Sequence, residues 1–279
     1  GGSQVLVRLK KEKVTTIVSE FYNSGGWDNN MGDTEDALRW EDLRAVASEY
    51  LTACRRKLLK FIPSSGERIL DMASGPIQYP EYMEYSLNFK TRHCVDFSDA
   101  ALDVAKEKIG DHGVFHHGDF FEIPFNDNYF DCALSIHTIY HMDRDMQEDA
   151  VRKLIRVTKP NGNVVIVYST NPKLLSAFVT LPYRILKKIK SVFRVKNHAA
   201  SGGDLYFYAH DNIWWDRFSD QVNLKILPWR TFQTDVQKSL FPNNFIGKYM
   251  FNKLLLLEER CPKFMARYAC YKLIVLTKK

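Results

Sequence analysis

The chain has 279 residues, 45% hydrophobic and 26% charged, with a formal net charge of +6. That suits one large soluble domain, or a domain with a substantial insertion, and excludes fibrous and disulfide-built classes. The positive excess is compatible with nucleic acid, a phosphorylated substrate or an anionic membrane, but without a localised patch it selects none of them.

Gly1-Gly2-Ser3 reads as a cloning remnant, and no charged and apolar signal segment follows it, so a cytoplasmic protein is expected. Cys54, Cys94, Cys132, Cys261 and Cys270 are odd in number, without a CxxC pair or metal-ligand spacing; free thiols in a reducing compartment and no metal are expected. Residues 11 to 24 and 35 to 61 read as helices, separated by NSGGWDNNMGD, a loop around Trp27. The apolar run Leu254 to Leu257 is too short to span a bilayer.

From Arg68 the rhythm changes. RILDMA, RHCVDF, GVFHHG, FDCALSI and NVVIVYS read as strands, and YPEYMEYSL, SDAALDVAKEKIG and MQEDAVRKLIRVTKPNG between them as helical stretches. This alternation predicts parallel strands joined by right-handed crossovers, hence an α/β doubly wound sheet. After Thr170 it breaks: residues 171 to about 220 are aromatic and basic and too long for a plain connection. NLKILPWRTF and CYKLIVLTKK, with a helix near Phe245 to Glu259 between them, would complete the sheet at one edge. The expected organisation is an N-terminal helical cap at 1–62, a core at 63–170, an inserted substrate cap at 171–220 and a C-terminal completion of the sheet at 221–279.

In open α/β sheets a ligand sits beyond the carboxyl ends of the strands, where strand order reverses. Asp71 ends the first strand, and the loop Ala73-Ser74-Gly75-Pro76 would occupy that crevice, its small residues admitting close backbone approach. Asp96 ends the second strand at the distance from the loop that suits a carboxylate accepting from both hydroxyls of an adenosine ribose; capping the next helix is its alternative role, which Ser98 or Asp99 fills better. Asp119 ends the third strand, placed to accept from the adenine amine while Phe120 or Phe97 packs on the ring; an Asp that only forms a turn is the alternative.

The ordered set DMASGP, VDFSxxAL, GDFFEIPFxDxYFD, SIHTIYHM and LIRVTKPNGNVVIV resembles the class I S-adenosylmethionine-dependent methyltransferases with a type 11 core, over about residues 66 to 170. The resemblance implies a Rossmann-like seven-stranded sheet, mostly parallel with the last strand antiparallel, S-adenosylmethionine as cofactor and S-adenosylhomocysteine as product. By similarity Asp71, Ala73, Ser74, Gly75 and Pro76 would flank the methionine part, Asp96 the ribose with Ser98 beside it, Phe97, Gly118, Asp119 and Phe120 the adenine, and Ser135, Ile136 and His137 the sulfonium side. Two glycines of the usual D-x-G-x-G-x-G stand here as Ala73 and Ile77.

Methyl transfer from a sulfonium needs alignment and exclusion of water, with a base only where the nucleophile must lose a proton. His137 is the first candidate base and His141 the second, with Tyr140 to orient substrate; either histidine could instead be a packing residue. Tyr22 and Trp27 are candidates for a lid, and Gln78, Tyr79, Tyr183, Tyr206, Tyr208, His210, Trp214 and Trp215 for the acceptor pocket, unless these aromatics form a small core of their own. Arg184 to Lys196 alternates bases with apolar residues, which suits contact with an anionic membrane or lipid carrier, or a solvated helix face. The expected function is methylation of an oxygen or nitrogen of a small molecule, with a sugar or glycolipid intermediate as the first guess. A nucleic-acid methyltransferase is disfavoured by SIHT where amino methylases carry an Asn/Asp-Pro-Pro-aromatic motif. A nicotinamide-dependent oxidoreductase is disfavoured by the missing GxGxxG, and a non-catalytic adenosine-binding protein remains as the third alternative.

Overall fold

The computed structural model describes residues 41–170 and 206–279. Its first helix, α1, is Ala45–Arg56, followed by a 3-10 turn, Lys57–Lys60. The helix predicted over 35–61 therefore begins, within the described residues, only at Ala45. Arg44 is extended (φ −67°, ψ 141°), and its guanidinium turns back onto Asp42 at 2.8 Å and onto the Phe241 carbonyl at 2.7 Å, which holds the preceding residues out of helical geometry. The helix predicted over 11–24 lies outside the described residues.

All the β-rich runs read from the sequence are strands: β1 Gly66–Met72, β2 Phe89–Asp96, β3 Gly113–His117, β4 Phe130–Ile136, β5 Thr158–Ser169, β6 Val222–Arg230 and β7 Tyr271–Lys278. They form one sheet in the order β3-β2-β1-β4-β5-β7-β6. β1 to β5 pair in parallel, and β7 runs antiparallel between β5 and β6. The remaining helices are α2 Pro80–Glu84, α3 Asp99–Ile109, α4 Gln147–Val157, α5 Thr234–Leu240, α6 Phe245–Arg260 and α7 Pro262–Tyr268.

Because strand side chains alternate between faces, each central strand feeds two cores. Ile69, Cys94, Cys132, Leu134, Val165 and Val167 join one, which α1 covers with Ala47, Tyr50, Leu51 and Cys54 and α6 with Phe251 and Leu254. Leu70, Val95, Ala133, Val164 and Ile166 join the other, beneath Val151, Leu154 and Ile155 of α4 and the aromatic turn Trp214, Trp215 and Phe218. Each fully buried large aliphatic side chain contributes about 1.5–3 kcal/mol. The sheet is thus sealed on both faces, and its strand ends are left for function.

Register decides which residues meet there. Met72 lies opposite Val95 and Ser135, Asp96 opposite His117, and Ile136 opposite Val167. The chain leaves β1 for β2 and β3 on one side and then returns to β4 on the other, so strand order reverses between β1 and β4. Among the described residues, no helix is long and apolar enough to cross a membrane.

Candidate active site

The loop after β1 holds three consecutive odd positions in the left-handed region: Ala73 at φ 57°, Gly75 at 53° and Ile77 at 52°. These are the positions where the resemblance expects glycine. The backbone therefore keeps the glycine course while two side-chain residues bear it, at a cost of about 1–2 kcal/mol each. A β-branched residue there is a marked outlier. Ile77 offsets its strain by burying its side chain, 1% exposed, in the core beneath α1, and its carbonyl accepts from Lys108 Nζ at 2.9 Å. Of the remaining non-glycine residues with positive φ, Asn128 and Asn161 are of a type that tolerates it, whereas His137 (φ 54°) lies at the end of β4 beside this loop.

Asp71 turns away from the crevice and into the protein. Its Oδ2 accepts from Arg92 Nη2 at 2.5 Å and from Nε at 3.2 Å, and Arg92 Nη1 donates to the Tyr82 carbonyl and to Ser86 Oγ. Both side chains are nearly sealed, at 4% and 1% exposure, so this pair anchors the loop and α2 to β2 from below. Arg92 is absent from the candidate residues; β2, FKTRHCVD, carries Lys90, Arg92 and His93 together, and burial rather than residue type separates Arg92 from exposed Lys90.

Asp96 does face the crevice. Its Oδ2 accepts from the Gly75 N–H and its Oδ1 from the Ser98 N–H, each at 2.9 Å, which ties the first loop to the second. A carboxylate offers about four lone-pair sites, so each oxygen keeps capacity for one hydroxyl of a vicinal diol. Burial is the main cause raising its pKa, opposed by the backbone N–H bonds. Ser98 caps α3, its Oγ accepting from Ala101 N at 3.2 Å. Gly118 follows β3 with φ 140° and donates to the Asp96 carbonyl, and Asp119 Oδ1 accepts from the Phe121 N–H. Of the two expected adenine platforms, Phe120 is 4% exposed and packed in the core under the Lys153 ammonium, while Phe97 stays half-buried.

At the end of β4, Ser135 Oγ is buried without a hydrogen-bond partner among the described residues. His137 Nδ1 lies 2.9 Å from the Tyr140 hydroxyl, with its ring edge-on to Trp229 at 4.8 Å and to Tyr271 at 5.5 Å. Burial, then the charges of His141, Arg230 and Arg55, lower its pKa to about 3. The imidazole is therefore uncharged at neutral pH but weakly basic, better suited to holding the Tyr140 hydroxyl than to taking a proton. His141 donates from Nδ1 to the Tyr206 carbonyl at 2.9 Å, and burial lowers its pKa to about 4.

The segment 206–210 runs along this turn. Tyr208 N donates to the Tyr140 carbonyl, and fully buried Gln147 bonds the Met142 and Tyr208 carbonyls and the Tyr168 hydroxyl. Tyr208, His210 and Trp214 share an open cleft of about 490 Å³, His210 stacking on Trp214 at 4.2 Å, but Trp214 and Trp215 also belong to the core. Tyr79 lies under the Arg55 guanidinium at 3.7 Å, and Gln78 precedes it on the same loop. Tyr22, Trp27, Tyr183 and 184–196 lie outside the described residues. Trp229 and Tyr271, absent from the candidates named above, come from β6 and β7 and meet His137 through the sheet's final pairing, with Arg230 over the Tyr271 ring.

Residues 70–166 match a family model described as a methyltransferase domain. The ubiquinone/menaquinone biosynthesis C-methyltransferase UbiE of Pseudomonas putida (strain GB-1) is 32% identical over 124 residues, covering 40% of this chain and 46% of that protein. Its counterpart in Vibrio cholerae serotype O1 (strain N16961) is 28% identical over 170 residues, covering 57% and 61%. The chain thus spans about half the length of the curated relatives it matches. Among solved structures, Haemonchus contortus phosphoethanolamine N-methyltransferase 1 superposes with a TM-score of 0.56 at 11% identity, over 97% of this chain and 49% of that one. A SAM-dependent methyltransferase from Archaeoglobus fulgidus gives 0.50 at 13% identity, over 83% and 94%. At such identities these two likenesses concern the fold alone. With the matched domain, the sheet order and the strained loop beside Asp96, the chain carries a class I S-adenosylmethionine-dependent methyltransferase domain.

Proposed function

We propose that this protein transfers a methyl group from S-adenosylmethionine to a small-molecule acceptor. The observation that carries the reading is the loop 73–77, whose left-handed course is kept at real energetic cost and whose Gly75 N–H is held by Asp96. Asp96 would hold the ribose diol, Gly118, Asp119 and Phe97 the adenine, and the loop 73–76 with Ser135 the methionine and sulfonium end. The buried, unpartnered Ser135 Oγ and the spare acceptor capacity of Asp96 fit such a group. The cofactor supplies an activated methyl on a good leaving group. The chain's task is to align the acceptor and exclude water, and the strained His137 with Tyr140 is placed to orient the acceptor atom.

The narrower proposal is methylation of an oxygen or nitrogen of a sugar or glycolipid intermediate, supported by the length of chain appended to the core. The relatives' names favour a carbon of a quinone precursor as the second reading. Calorimetry with S-adenosylmethionine, S-adenosylhomocysteine and NADH tests the class: absence of binding by both sulfur nucleosides ends the proposal. A screen of sugars, lipids, phenolic quinone precursors and RNA then separates the acceptors.

A further inference from the structure

Six buried side-chain polar atoms lack a partner among the described residues, and three of them, Glu81 Oε2, Ser135 Oγ and Trp229 Nε1, lie around His137 and Arg55. Each such atom costs about 1–3 kcal/mol if nothing ever satisfies it. Two guanidiniums stand in the same place. Arg55 and Arg230 keep only 10% and 2% of their side-chain surface, and both point at Glu41 Oε2, at 3.4 Å and 4.0 Å.

These contacts differ in kind from the protein's other buried ion pairs. Arg92 closes on Asp71 at 2.5 Å and Lys57 on Glu258 at 2.6 Å. Around Glu41, by contrast, the Arg55 guanidinium makes a single long hydrogen bond among the described residues and lies 3.7 Å from Glu81. Arg230 spends Nε on Gln237 and Nη2 on Thr234, so that among the described residues Nη1 meets only Glu41, beyond hydrogen-bond range. Guanidiniums prefer short, bidentate contacts with an anion. The spacing here leaves room for an anionic group larger or better placed than one side-chain carboxylate oxygen.

The location is what an acceptor requires. Arg55 stacks on Tyr79, just beyond the loop that begins at Ala73. Arg230 lies 5.6 Å above Tyr271, whose ring is 5.5 Å from that of His137, and Trp229 touches His137 from β6. Glu81 stays behind Arg55, its Oε1 accepting from Thr52 Oγ1 at 2.7 Å. If Glu41 swings out, Arg55 and Arg230 against Glu81 leave one net positive charge beside the free Trp229 N–H, which suits a single anionic group.

We propose that Arg55 and Arg230 are the acceptor's anion-recognition pair, that the acceptor carries a carboxylate or phosphate, and that Glu41 holds its place until it binds. This rests on the methyltransferase reading for the word acceptor, but the anion site is measurable without it. The test is calorimetric titration with inorganic phosphate, at constant ionic strength in chloride, of the full chain, Glu41→Gln, and Glu41→Gln combined with Arg55→Gln. Removing the competing carboxylate should tighten phosphate at least about tenfold, since the like charge stands within about 4 Å of the site. The added Arg55→Gln should return affinity to the wild-type value or below. Equal affinity in wild type and Glu41→Gln, or tight binding that survives Arg55→Gln, overturns the proposal. S-adenosylhomocysteine titrated into the same preparations reports folding and separates the failures. Phosphate response without nucleoside binding ends the methyltransferase reading, and nucleoside binding without phosphate response ends the anion pair.

Discussion

Acidification should unfold this protein well above the pH at which carboxylates usually fail. Burial lowers the pKa of His93 to about 4, of His137 to about 3 and of His141 to about 4. In the unfolded chain the same imidazoles titrate near 6.5. Below that value the unfolded state takes up protons that the fold refuses, so stability is complete above about pH 7 and is lost as pH falls from about 6.5 toward 4. A fully shielded imidazole loses about 2 kcal/mol between pH 7 and pH 5, at up to about 1.4 kcal/mol per pH unit. His93, 7% exposed, takes nearly that value, and the partly exposed His137 and His141 take less. A combined loss of about 4 kcal/mol is a large share of a typical stability of about 5–15 kcal/mol. Asp96, raised by burial, works in the opposite sense, but only nearer the carboxylate range. Urea midpoints at pH 7.5, 6.5 and 5.5, with m held constant, read the slope directly. His93→Gln should flatten it by about half while leaving the pH 7.5 midpoint less affected. A midpoint that does not move between pH 7.5 and 5.5, or a slope that His93→Gln leaves unchanged, refutes the reasoning.

Asp96→Ala should weaken S-adenosylhomocysteine at least about tenfold by calorimetry, the loss expected for charge-assisted hydrogen bonds; equal affinity removes the ribose assignment. Arg92→Met should destabilise the fold by about 3–5 kcal/mol in urea by stranding Asp71, and adding Asp71→Asn should recover part of that; no recovery would deny the pairing its role. Ala73→Gly relieves the left-handed alanine and should raise stability by up to about 1 kcal/mol after the unfolded-state entropy of glycine is subtracted. A lowered melting temperature would show that the loop does not hold that conformation in solution. Tyr140→Phe and His137→Ala should each reduce methyl-transfer turnover while cofactor affinity stays within about twofold, and the pH profile should show no limb near 6.5 assignable to His137, because its imidazole is already neutral there.

The sequence makes the sheet legible because its strands are local signals: β1 and β4 and the second half of β5 are short apolar runs, β2 carries its apolar residues beside Lys90 and Arg92, and the helical spacing of α3 and α4 separates them from these. Helix α1 is less legible at its start, since what ends it is the contact of Arg44 with Phe241, nearly two hundred residues away in sequence. Asp96 and Gly75 are visible in the sequence for the same reason as the strands: both follow strands directly, and the parallel register of β1 and β2 brings the two loops together. The pair Arg55 and Arg230 is invisible in sequence, because neither belongs to a local motif. Their convergence on Glu41 depends on α1 packing beside the edge formed by β7 and β6.

Ile77 carries this distinction further. From sequence, an isoleucine at the last glycine position leaves the later course of the loop open. The structure keeps the path because the cost of a left-handed isoleucine, about 1–2 kcal/mol, is comparable to the gain of about 1.5–3 kcal/mol from burying its side chain. A glycine there would free the backbone but leave a hole in the core beneath α1, where Ile77 is 1% exposed. What the loop requires is therefore a backbone conformation, and glycine is only the least expensive residue that adopts it. Core packing supplies the same conformation at Ile77, and the Asp96 bond to the Gly75 N–H holds it at the centre of the turn.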